Sequence, residues 1–346
     1  PLYYGMHEES EQLSVEKQSD IDRELGRVLW HELTHVIILT EQIRIKDKIY
    51  TDILDRISEG KTTDNDYKLL NTRIISIGNV DLTSPTFKDA PIIVPGNELR
   101  QLINKAKIHE LADDMDEQII KWNAIDSCKK VNLTKSKLKK LQGVPYTKAG
   151  GLPGKCMFVK QMPVMLTKNI AVELNLTNGI VGNVVKILTN STNKPSGKVQ
   201  VLSNLPLCVI VHFPTSSCPQ LNGLKEHEIP IYPEKSPFQY RFPGTKTNTT
   251  ITREQIPLEA AFAYTAHKAQ GKTLPSVIVD LQPLKQKQAN NSFAYVPLSR
   301  VETMEHLAIL RPFPMDILTQ MKHADHEAQD KHFEQMENVQ NVIEFT

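Results

Sequence analysis

Two kinds of hydrophobic pattern alternate along the first third of the chain. Short β-branched runs predict strands at 35–39 and 92–94, and apolar residues at helical spacing predict helices at 17–33, at 49–57 and from Asn97. The apolar positions expected to face inward on the second and third helices are Ile49, Ile53, Leu54, Ile57, Leu99, Leu102, Ile103 and Ala106. Alternating strands and helices of this kind are typical of an α/β fold with a parallel sheet.

The pattern changes after about residue 155. Short strands separated by turn sequences are predicted at 162–166, 181–188, 199–202 and 208–213. Prolines in the next stretch predict a loop, at positions 230, 233, 237 and 243. A helix at 260–269 and a strand at 277–279 then restore the α/β pattern, and a last helix is predicted from Pro314. We therefore expect one α/β domain interrupted by a small all-β barrel at 155–255.

Composition places the chain among ordinary globular proteins. Its 346 residues are 40% hydrophobic and 23% charged, which suits about two domains and argues against a disordered or fibrous chain. No apolar run approaches the roughly 20 residues of a membrane-spanning helix, so no membrane partner is expected. The four cysteines lack metal-site spacing and no signal peptide is evident, which favours the cytosol or the nucleus.

The net charge of +1 conceals a strongly basic segment. Residues 121–168 contain eleven lysines and one acid, Asp126, for a local charge of +10, whereas both ends of the chain are acidic. Such a segment is either a polyanion-binding surface or a solvated connector, and charge alone leaves both interpretations open. The lysines of this segment singled out as candidate polyanion contacts are Lys135, Lys137, Lys139, Lys140 and Lys168.

Two familiar motifs are matched only in part. His31-Glu32-Leu33-Thr34-His35 fits the H-E-x-x-H pattern of zinc peptidases, but the second histidine opens a predicted strand, whereas zinc needs both histidines on one helical face. We therefore predict no metal site. Gly154-Lys155 and Gly271-Lys272-Thr273 both lack the first glycine of a Walker A loop, so this chain alone is not expected to hold a nucleoside triphosphate.

The stretch 253–274 has the densest group of candidate binding side chains. An apolar helix is predicted to present a set of donors around Gly271, a residue that would let the backbone approach a ligand closely. The donors in this set are His267, Lys268, Gln270 and Thr273. Lysine, hydroxyl and amide groups suit contacts to a phosphodiester backbone, which fix position without reading sequence. Taken alone, the same residues also fit a helix that ends at Gly271 with an exposed polar turn.

Five segments in this order resemble superfamily-one helicases of the Pif family, especially those encoded by Helitron transposons. Residues 255–274 resemble motif V, with its Q-x-P-L and H-K-x-Q-G-x-T sequences, 295–301 resembles motif VI, and 39–44 resembles motif IV. Residues 162–169 and 178–182 resemble the strands that open the family's Src-homology-like barrel. The resemblance extends from about residue 20 to 312. Proline at 297 and alanine at 269 depart from residues that are often small or polar in the family.

The resemblance implies a domain organisation. A second RecA-like motor domain of the P-loop NTPase fold would occupy 31–154 and 256–312, with the Src-homology-like barrel inserted at 155–255. An acidic segment at 1–30 would follow a first motor domain, and an acidic helix or tail would occupy 313–346. Motifs I to III, which bind ATP and magnesium in the family, are not found, and the opening Pro1-Leu2-Tyr3-Tyr4 resembles the segment just after motif III. The chain is therefore expected to be the C-terminal half of a helicase, inactive without its missing N-terminal RecA-like domain.

The resemblance also implies roles for single residues. Arg300 would be the arginine finger of ATP hydrolysis, Arg44 a second contact to the γ-phosphate, and Gly271 part of the nucleotide site. His267, Lys268, Gln270, Thr273 and the five singled-out lysines would contact single-stranded DNA.

At the level of the whole protein, the resemblance implies 5′ to 3′ unwinding of single-stranded DNA and DNA junctions, with ATP and Mg²⁺ as cofactors of the full-length parent. A monomer in the nucleus, or alternatively in the mitochondrion, would serve DNA repair, recombination, telomere maintenance or transposition. The alternative is a non-enzymatic relic of a transposon helicase that still binds single-stranded nucleic acid.

Overall fold

The structure, a computed structural model, describes residues 18–32, 43–78, 80–129, 131–190, 197–245, 247–283, 291–319 and 331–333. The chain divides into two compact units, one of Pro1–Ile43 with Met321–Thr346 and one of Arg44–Gln320. In the first unit, helix α1 (Gln18–His31) agrees with the prediction, and the rings of Trp30 and Phe333 lie 5.7 Å apart. The predicted strand at 35–39, and with it most of the H-E-x-x-H sequence, lies outside the described residues.

The second unit contains the remaining elements. Its helices are α2 (Lys48–Ser58), α3 (Asp64–Asn71), α4 (Asn97–Asp114), α5 (Lys135–Gln142), α6 (Ala266–Ala269) and α7 (Asn291–Leu298). Its strands are β1 (Ile92–Val94), β2 (Ile119–Asn123), β3 (Ile125–Ser127), β4 (Lys155–Phe158), β5 (Pro163–Leu166), β6 (Val181–Leu188), β7 (Val199–Val201), β8 (Cys208–His212), β9 (Glu228–Ile231), β10 (Glu234–Tyr240), β11 (Thr249–Gln255), β12 (Leu258–Ala260), β13 (Ala263–Thr265), β14 (Val277–Val279) and β15 (Leu307–Ile309). No helix among the described residues is long and apolar enough to cross a membrane.

A parallel sheet with the order β13-β1-β14-β15 forms the centre of this unit. Its strands are buried on both faces, as expected where helices cover a parallel sheet from both sides. On one face, α2 and α7 pack against Ile93, Val277 and Val279. On the other face, α4 packs Leu99 and Ile103 against a cluster that includes Ile92 and Ile278. The predicted parallel α/β sheet is therefore confirmed.

Local signals in the sequence fix the helix ends on the α2 side. Asp47 caps α2 by accepting from the backbone N–H of Tyr50, and Gly60 beyond its C-terminus has a φ of +71°, which favours glycine. Thr63 and Asp66 form a reciprocal capping box at the start of α3. Arg56 donates to both carboxylate oxygens of Asp66, at 2.7 and 2.6 Å, and so joins the two helices.

Two antiparallel sheets and one mixed sheet, in which β2 and β7 pair in parallel, make up the all-β part of the unit. A five-stranded sheet has the order β12-β5-β6-β8-β9, a second sheet has the order β10-β11-β3, and a third has the order β4-β2-β7. All four strands predicted between 162 and 213 are present. In the five-stranded sheet β12 and β9 stand at opposite edges, so the Src-homology-like barrel, like the domain boundaries, stays a prediction.

The proline-rich stretch is not the predicted loop. Pro230 lies in β9 and Pro237 in β10, and each of these is an edge strand. An edge strand tolerates proline because the missing N–H can face away from its neighbour. Proline therefore marks strand edges here and not the end of the sheet.

The helix predicted at 260–269 is also wrong. Leu258–Ala260 and Ala263–Thr265 are strands, and only the single turn of α6 is helical. Alanine favours helix intrinsically, but pairing of β13 with β1 in a buried sheet overrides that preference. The last predicted helix begins as a 3₁₀ turn at Met315–Ile317, and 320–330 lie outside the described residues.

The inward face of α4 departs from the predicted apolar positions for a related reason. Leu102 is 65% exposed, whereas Asn104 is buried and both donates to the carbonyl of Ala263 and accepts from its N–H. Strand β13 is the edge of the parallel sheet, and its backbone groups need a partner. Asn104 therefore faces inward on α4, whereas Leu102, which hydrophobic periodicity predicted to face inward, is exposed. Ile49 of α2, at 63% exposure, likewise points outward.

Candidate nucleotide and nucleic-acid site

The motif-like residues meet around the connection from β13 to β14. Strand β13 runs into α6 and then into the loop 270–274. Ser299 and Arg300, which directly follow α7, lie beside this loop. The N–H of Leu274 donates to the carbonyl of Arg300 at 2.8 Å, which fastens the two segments together.

Arg300 is buried, with 5% of its surface exposed, and its guanidinium holds the loop in place. It donates to the carbonyls of Ala269 at 3.5 Å and Lys272 at 3.4 Å, and to the hydroxyl of Ser299 at 2.6 Å. Its Nε has no hydrogen-bond partner among the described residues. Burial, together with the positive charge of Arg44, lowers the pKa of Arg300.

Arg44 is half-buried and approaches the same loop. Its Nε donates to the hydroxyl of Thr273 at 3.1 Å, and its Nη1 donates to the carbonyl of Ser299 at 3.3 Å. In the part of the chain that the structure describes, neither Arg44 nor Arg300 has an ion pair with a carboxylate. Two neighbouring guanidinium groups without an acid form an electrostatically uncompensated site, which favours the binding of an anion.

Two lysines, one in α6 and one in the loop 270–274, donate hydrogen bonds to the β5–β6 connection. Lys268 Nζ donates to Oδ1 of Asn178 at 2.7 Å and lies 5.4 Å from the centre of the Tyr146 ring. Lys272 Nζ donates to the carbonyl of Gly179 at 2.7 Å and lies 5.1 Å from the centre of the Tyr264 ring. Burial lowers the pKa of Lys268, and burial with the nearby charge of Lys268 lowers the pKa of Lys272 to about 8.

A buried ion pair lies behind Lys268. Arg100 Nη1 is 2.6 Å from Oε1 of Glu259, and both side chains are largely buried. Burial raises the pKa of Glu259, and the charge of Arg100 opposes that rise. The carboxylate of Glu259 in turn favours the protonated form of Lys268 against the effect of burial.

The remaining predicted residues of the loop lie around these lysines. His267 and Gln270 are exposed. Gly271 has a φ of +81°, and a Cβ built on it would meet no atom within 4 Å. Its backbone conformation therefore accounts for the glycine, and its outer side is open. Thr273, predicted to contact DNA, lies on the arginine side because it accepts the hydrogen bond from Arg44.

The lysine-rich segment is only partly connected to this loop. Lys135, Lys139 and Lys140 are exposed on α5, and Lys137 Nζ lies 5.4 Å from the centre of the Phe242 ring. None of the described hydrogen bonds joins these lysines to the loop. The contact between the lysine-rich segment and the candidate site is made by Tyr146, which follows α5 and lies against Lys268. Lys168 is elsewhere occupied, since its Nζ forms an ion pair with Glu234 at 2.7 Å.

The single acid of the basic segment does not reach its surface. Asp126 is 1% exposed and accepts two hydrogen bonds from the fully buried Arg253, at 2.7 and 2.9 Å. Arg253 also donates to the carbonyl of Leu141 in the last turn of α5. The surface of the segment is therefore more purely basic than its composition indicates.

Sequence reasoning missed several of these residues. Lys272 follows Gly271 in the motif and could have been recognised from its position, whereas Asn178, Tyr146 and Glu259 belong to the site only through folding. Local sequence gives no sign that these residues, up to 122 positions from Lys268, meet at its ammonium group.

Most of the chain is similar to known DNA helicases. No protein-family model matches the chain. The ATP-dependent DNA helicase PIF1 of Xenopus laevis is 27% identical over 286 residues, which make up 81% of this chain and 36% of that protein. The ATP-dependent DNA helicase RRM3 of Saccharomyces cerevisiae is 26% identical over 316 residues, 82% of this chain and 42% of that protein. The chain thus spans well under half the length of these two curated relatives.

Solved structures agree with these relatives. The Pif1 helicase of Candida albicans superimposes with a TM-score of 0.60 at 21% identity, over 88% of this chain and 62% of that one. Pif1 from Bacteroides, solved with ADP-AlF3 and single-stranded DNA, gives 0.60 at 16% identity, over 93% of this chain and 64% of that one. The fold is therefore that of a RecA-like helicase domain. Its homologues are Pif1 and RRM3 helicases, which confirms the predicted relationship to Pif-family superfamily-one helicases.

Proposed function

We propose that the chain is the second motor domain and inserted β domain of an ATP-dependent DNA helicase that moves 5′ to 3′. The observation that supports this most directly is the arginine pair. Arg44 and Arg300 are far apart in the sequence, yet both donate hydrogen bonds to Ser299. No carboxylate among the described residues forms an ion pair with either arginine. A γ-phosphate would supply the missing negative charge.

The two arginines suit different parts of that task. Guanidinium groups present several donors in a fixed plane, which fits phosphate oxygens on which charge develops during transfer. Arg44 is half-buried and is the more accessible contact. Arg300, with its unpartnered Nε, is the more buried of the two, and it donates to the carbonyl of Lys272 while Arg44 donates to Thr273 of the same loop. This loop would thereby link nucleotide binding to strand binding.

The rest of the nucleotide site would come from another RecA-like domain of the whole protein. The sequence has no Walker A loop, so the phosphate loop and the Mg²⁺ ligands would be supplied there. ATP would supply the γ-phosphate on which the two domains close, and its hydrolysis would set their separation. What this chain's own residues would do is position two guanidinium groups, with Arg300 buried beside Ser299 and Arg44 more accessible.

Single-stranded DNA would run across His267, Lys268 and Gln270 toward the basic surface of α5. Phosphate contacts of this kind bind strands without regard to base sequence and weaken as salt is added. The Bacteroides Pif1 structure contains single-stranded DNA, and its fold matches over most of this chain. A nuclear role in genome maintenance or transposition, the latter for a Helitron-type parent, follows as part of the same proposal.

The test compares the 346-residue chain with the whole helicase. We expect the chain alone to bind a labelled dT oligonucleotide with a steep salt dependence and to hydrolyse no ATP. Joined to its first motor domain, it should hydrolyse ATP in a DNA-dependent manner. Hydrolysis by the chain alone, or no binding of the oligonucleotide at low salt, would contradict the proposal.

The sequence also fits the non-enzymatic alternative, a strand-binding relic of a transposon helicase. The lack of a Walker A loop in these 346 residues is compatible with both proposals. A reading frame that continues upstream into G-x-x-x-x-G-K-[ST] would decide for the helicase.

A further inference from the structure

The loop 267–273 places two ammonium groups on one turn of the neighbouring antiparallel sheet. Lys268 Nζ donates to the side chain of Asn178, and Lys272 Nζ donates to the carbonyl of the next residue, Gly179, both at 2.7 Å. Because the acceptors belong to consecutive residues, the two positive charges are held close together. The charge of Lys268, after burial, contributes to the lowered pKa of Lys272.

Nothing acidic among the described residues contacts either ammonium group. Lys268 is otherwise against the Tyr146 ring, and Lys272 is against the Tyr264 ring with the sulfur of Met165 at 3.8 Å. The nearest source of negative charge is Glu259, which is itself paired with Arg100. Both lysines are partly buried, so water compensates them less than it would surface lysines.

Both ammonium groups still have donors to offer. An ammonium group has three N–H donors; Lys268 uses one on the turn, and Lys272 uses one on the turn and one on the sulfur of Met165. The aromatic rings and the turn restrict where the unused donors point, which lowers the entropy lost when a ligand binds. Two fixed cations with unused donors, and no acid between them, match one phosphodiester group.

We propose that Lys272, Lys268 and the Asn178–Gly179 turn form a phosphate-binding position for single-stranded DNA, in which Asn178 is a positioning residue for Lys268. This rests on the strand-binding part of the proposed function and adds Lys272 and the turn to it. A bound DNA strand would then contact the five-stranded sheet directly, because the Asn178–Gly179 turn connects β5 to β6.

The experiment measures binding of a fluorescein-labelled dT oligonucleotide to the 346-residue chain as a function of salt. Lys272→Met, which keeps the apolar contacts, is expected to lower the slope of log K against log salt by about 0.7, the value for one phosphate contact on a single strand. Lys272→Arg should keep the slope. Lys88→Met is the matched control, because Lys88 is an exposed lysine in the segment before β1.

Asn178→Ala separates positioning from charge. With both lysines present but Lys268 no longer oriented, the dissociation constant should rise roughly three- to tenfold while the salt slope stays as in the wild type. Thermal unfolding of each variant shows whether the fold is retained.

A pH series gives a second readout that a merely structural role would not change. Wild-type affinity should fall between pH 7 and 9 as Lys272 loses its proton, and Lys272→Arg should remove most of that dependence, leaving the part due to Lys268. An unchanged salt slope and pH profile in a folded Lys272→Met would overturn this assignment alone. A wild-type chain that does not bind the oligonucleotide at all would overturn the proposed function with it.

Discussion

Arg44 donates through Nε to the hydroxyl of Thr273 at 3.1 Å, although 229 residues separate them in the sequence. Thr273 closes the motif that contains Lys268 and Gln270, and Arg44 belongs to the segment that resembles motif IV, whose arginine would contact the γ-phosphate. One hydrogen bond therefore joins the predicted nucleotide residues to the predicted strand-binding residues. Movement of Arg44 toward a phosphate would release Thr273 and the loop before it.

Replacing Arg44 should separate hydrolysis from strand binding. In the whole helicase, Arg44→Ala is expected to lower the rate of ATP hydrolysis at least a hundredfold, since arginine contacts to the transferred phosphoryl group contribute about 10³ to 10⁵. Binding of a dT oligonucleotide should change less than threefold. Arg241→Ala removes an exposed arginine from the β10–β11 turn and serves as the control. Equal losses of both activities would assign Arg44 to the strand.

Arg300 should be needed for stability as well as for hydrolysis. Arg300→Ala removes donors to the carbonyls of Ala269 and Lys272, and we expect the free energy of unfolding to fall by about 1.5–3 kcal/mol. Hydrolysis by the whole helicase should be abolished, with strand binding largely retained below the unfolding temperature. Urea unfolding gives the first quantity and a hydrolysis assay the second. A variant as stable as the wild type would show that the guanidinium does not hold the loop.

The parallel sheet was predictable because its strands are locally encoded. Ile92–Val94 and Val277–Val279 are β-branched runs buried on both faces, and they are found where the pattern placed them. Ala263–Thr265 was predicted as helix because only its pairing with β1, more than 160 residues away, makes it a strand. The prolines of β9 and β10 led to the wrong prediction of a loop. Edge strands accept proline, whereas central strands exclude it, and the sequence does not show which strands lie at an edge.

The site was predictable only where its residues are contiguous in the sequence. His267 to Thr273 form one motif, so their closeness in the structure follows from their spacing in the sequence. The partners Asn178, Tyr146 and Glu259 come from three other elements, and burial of Asp126 by Arg253 is invisible in a count of charges. These contacts depend on the chain's tertiary pairing, which composition and periodicity do not specify.

The pair between Arg56 and Asp66 should make stability depend on acid pH. The guanidinium of Arg56 and the capping of α3 lower the pKa of Asp66 to about 2, below its usual value near 4. A lowered pKa stabilises the fold at higher pH, and this contribution is lost as the pH falls from about 4 to 2. Asp66→Asn should therefore flatten the loss of stability in that range, as measured by urea unfolding at each pH. Asp89→Asn, at an exposed site, is the control and should leave the curve unchanged.

The exposed lysines of α5 distinguish a strand-binding surface from a solvated connector. Lys135, Lys139 and Lys140 have no acidic neighbour among the described ion pairs, because the one acid of their segment is buried against Arg253. If these lysines follow the strand, Lys→Glu at the three positions should lower the salt slope of dT binding by up to about 2, roughly 0.7 for each phosphate that is no longer bound. Lys88→Glu tests the effect of net charge alone, and Lys137 is left in place because it packs on Phe242. A slope that falls no further than in the control would identify α5 as a connector and confine the strand to the loop of Lys268 and Lys272.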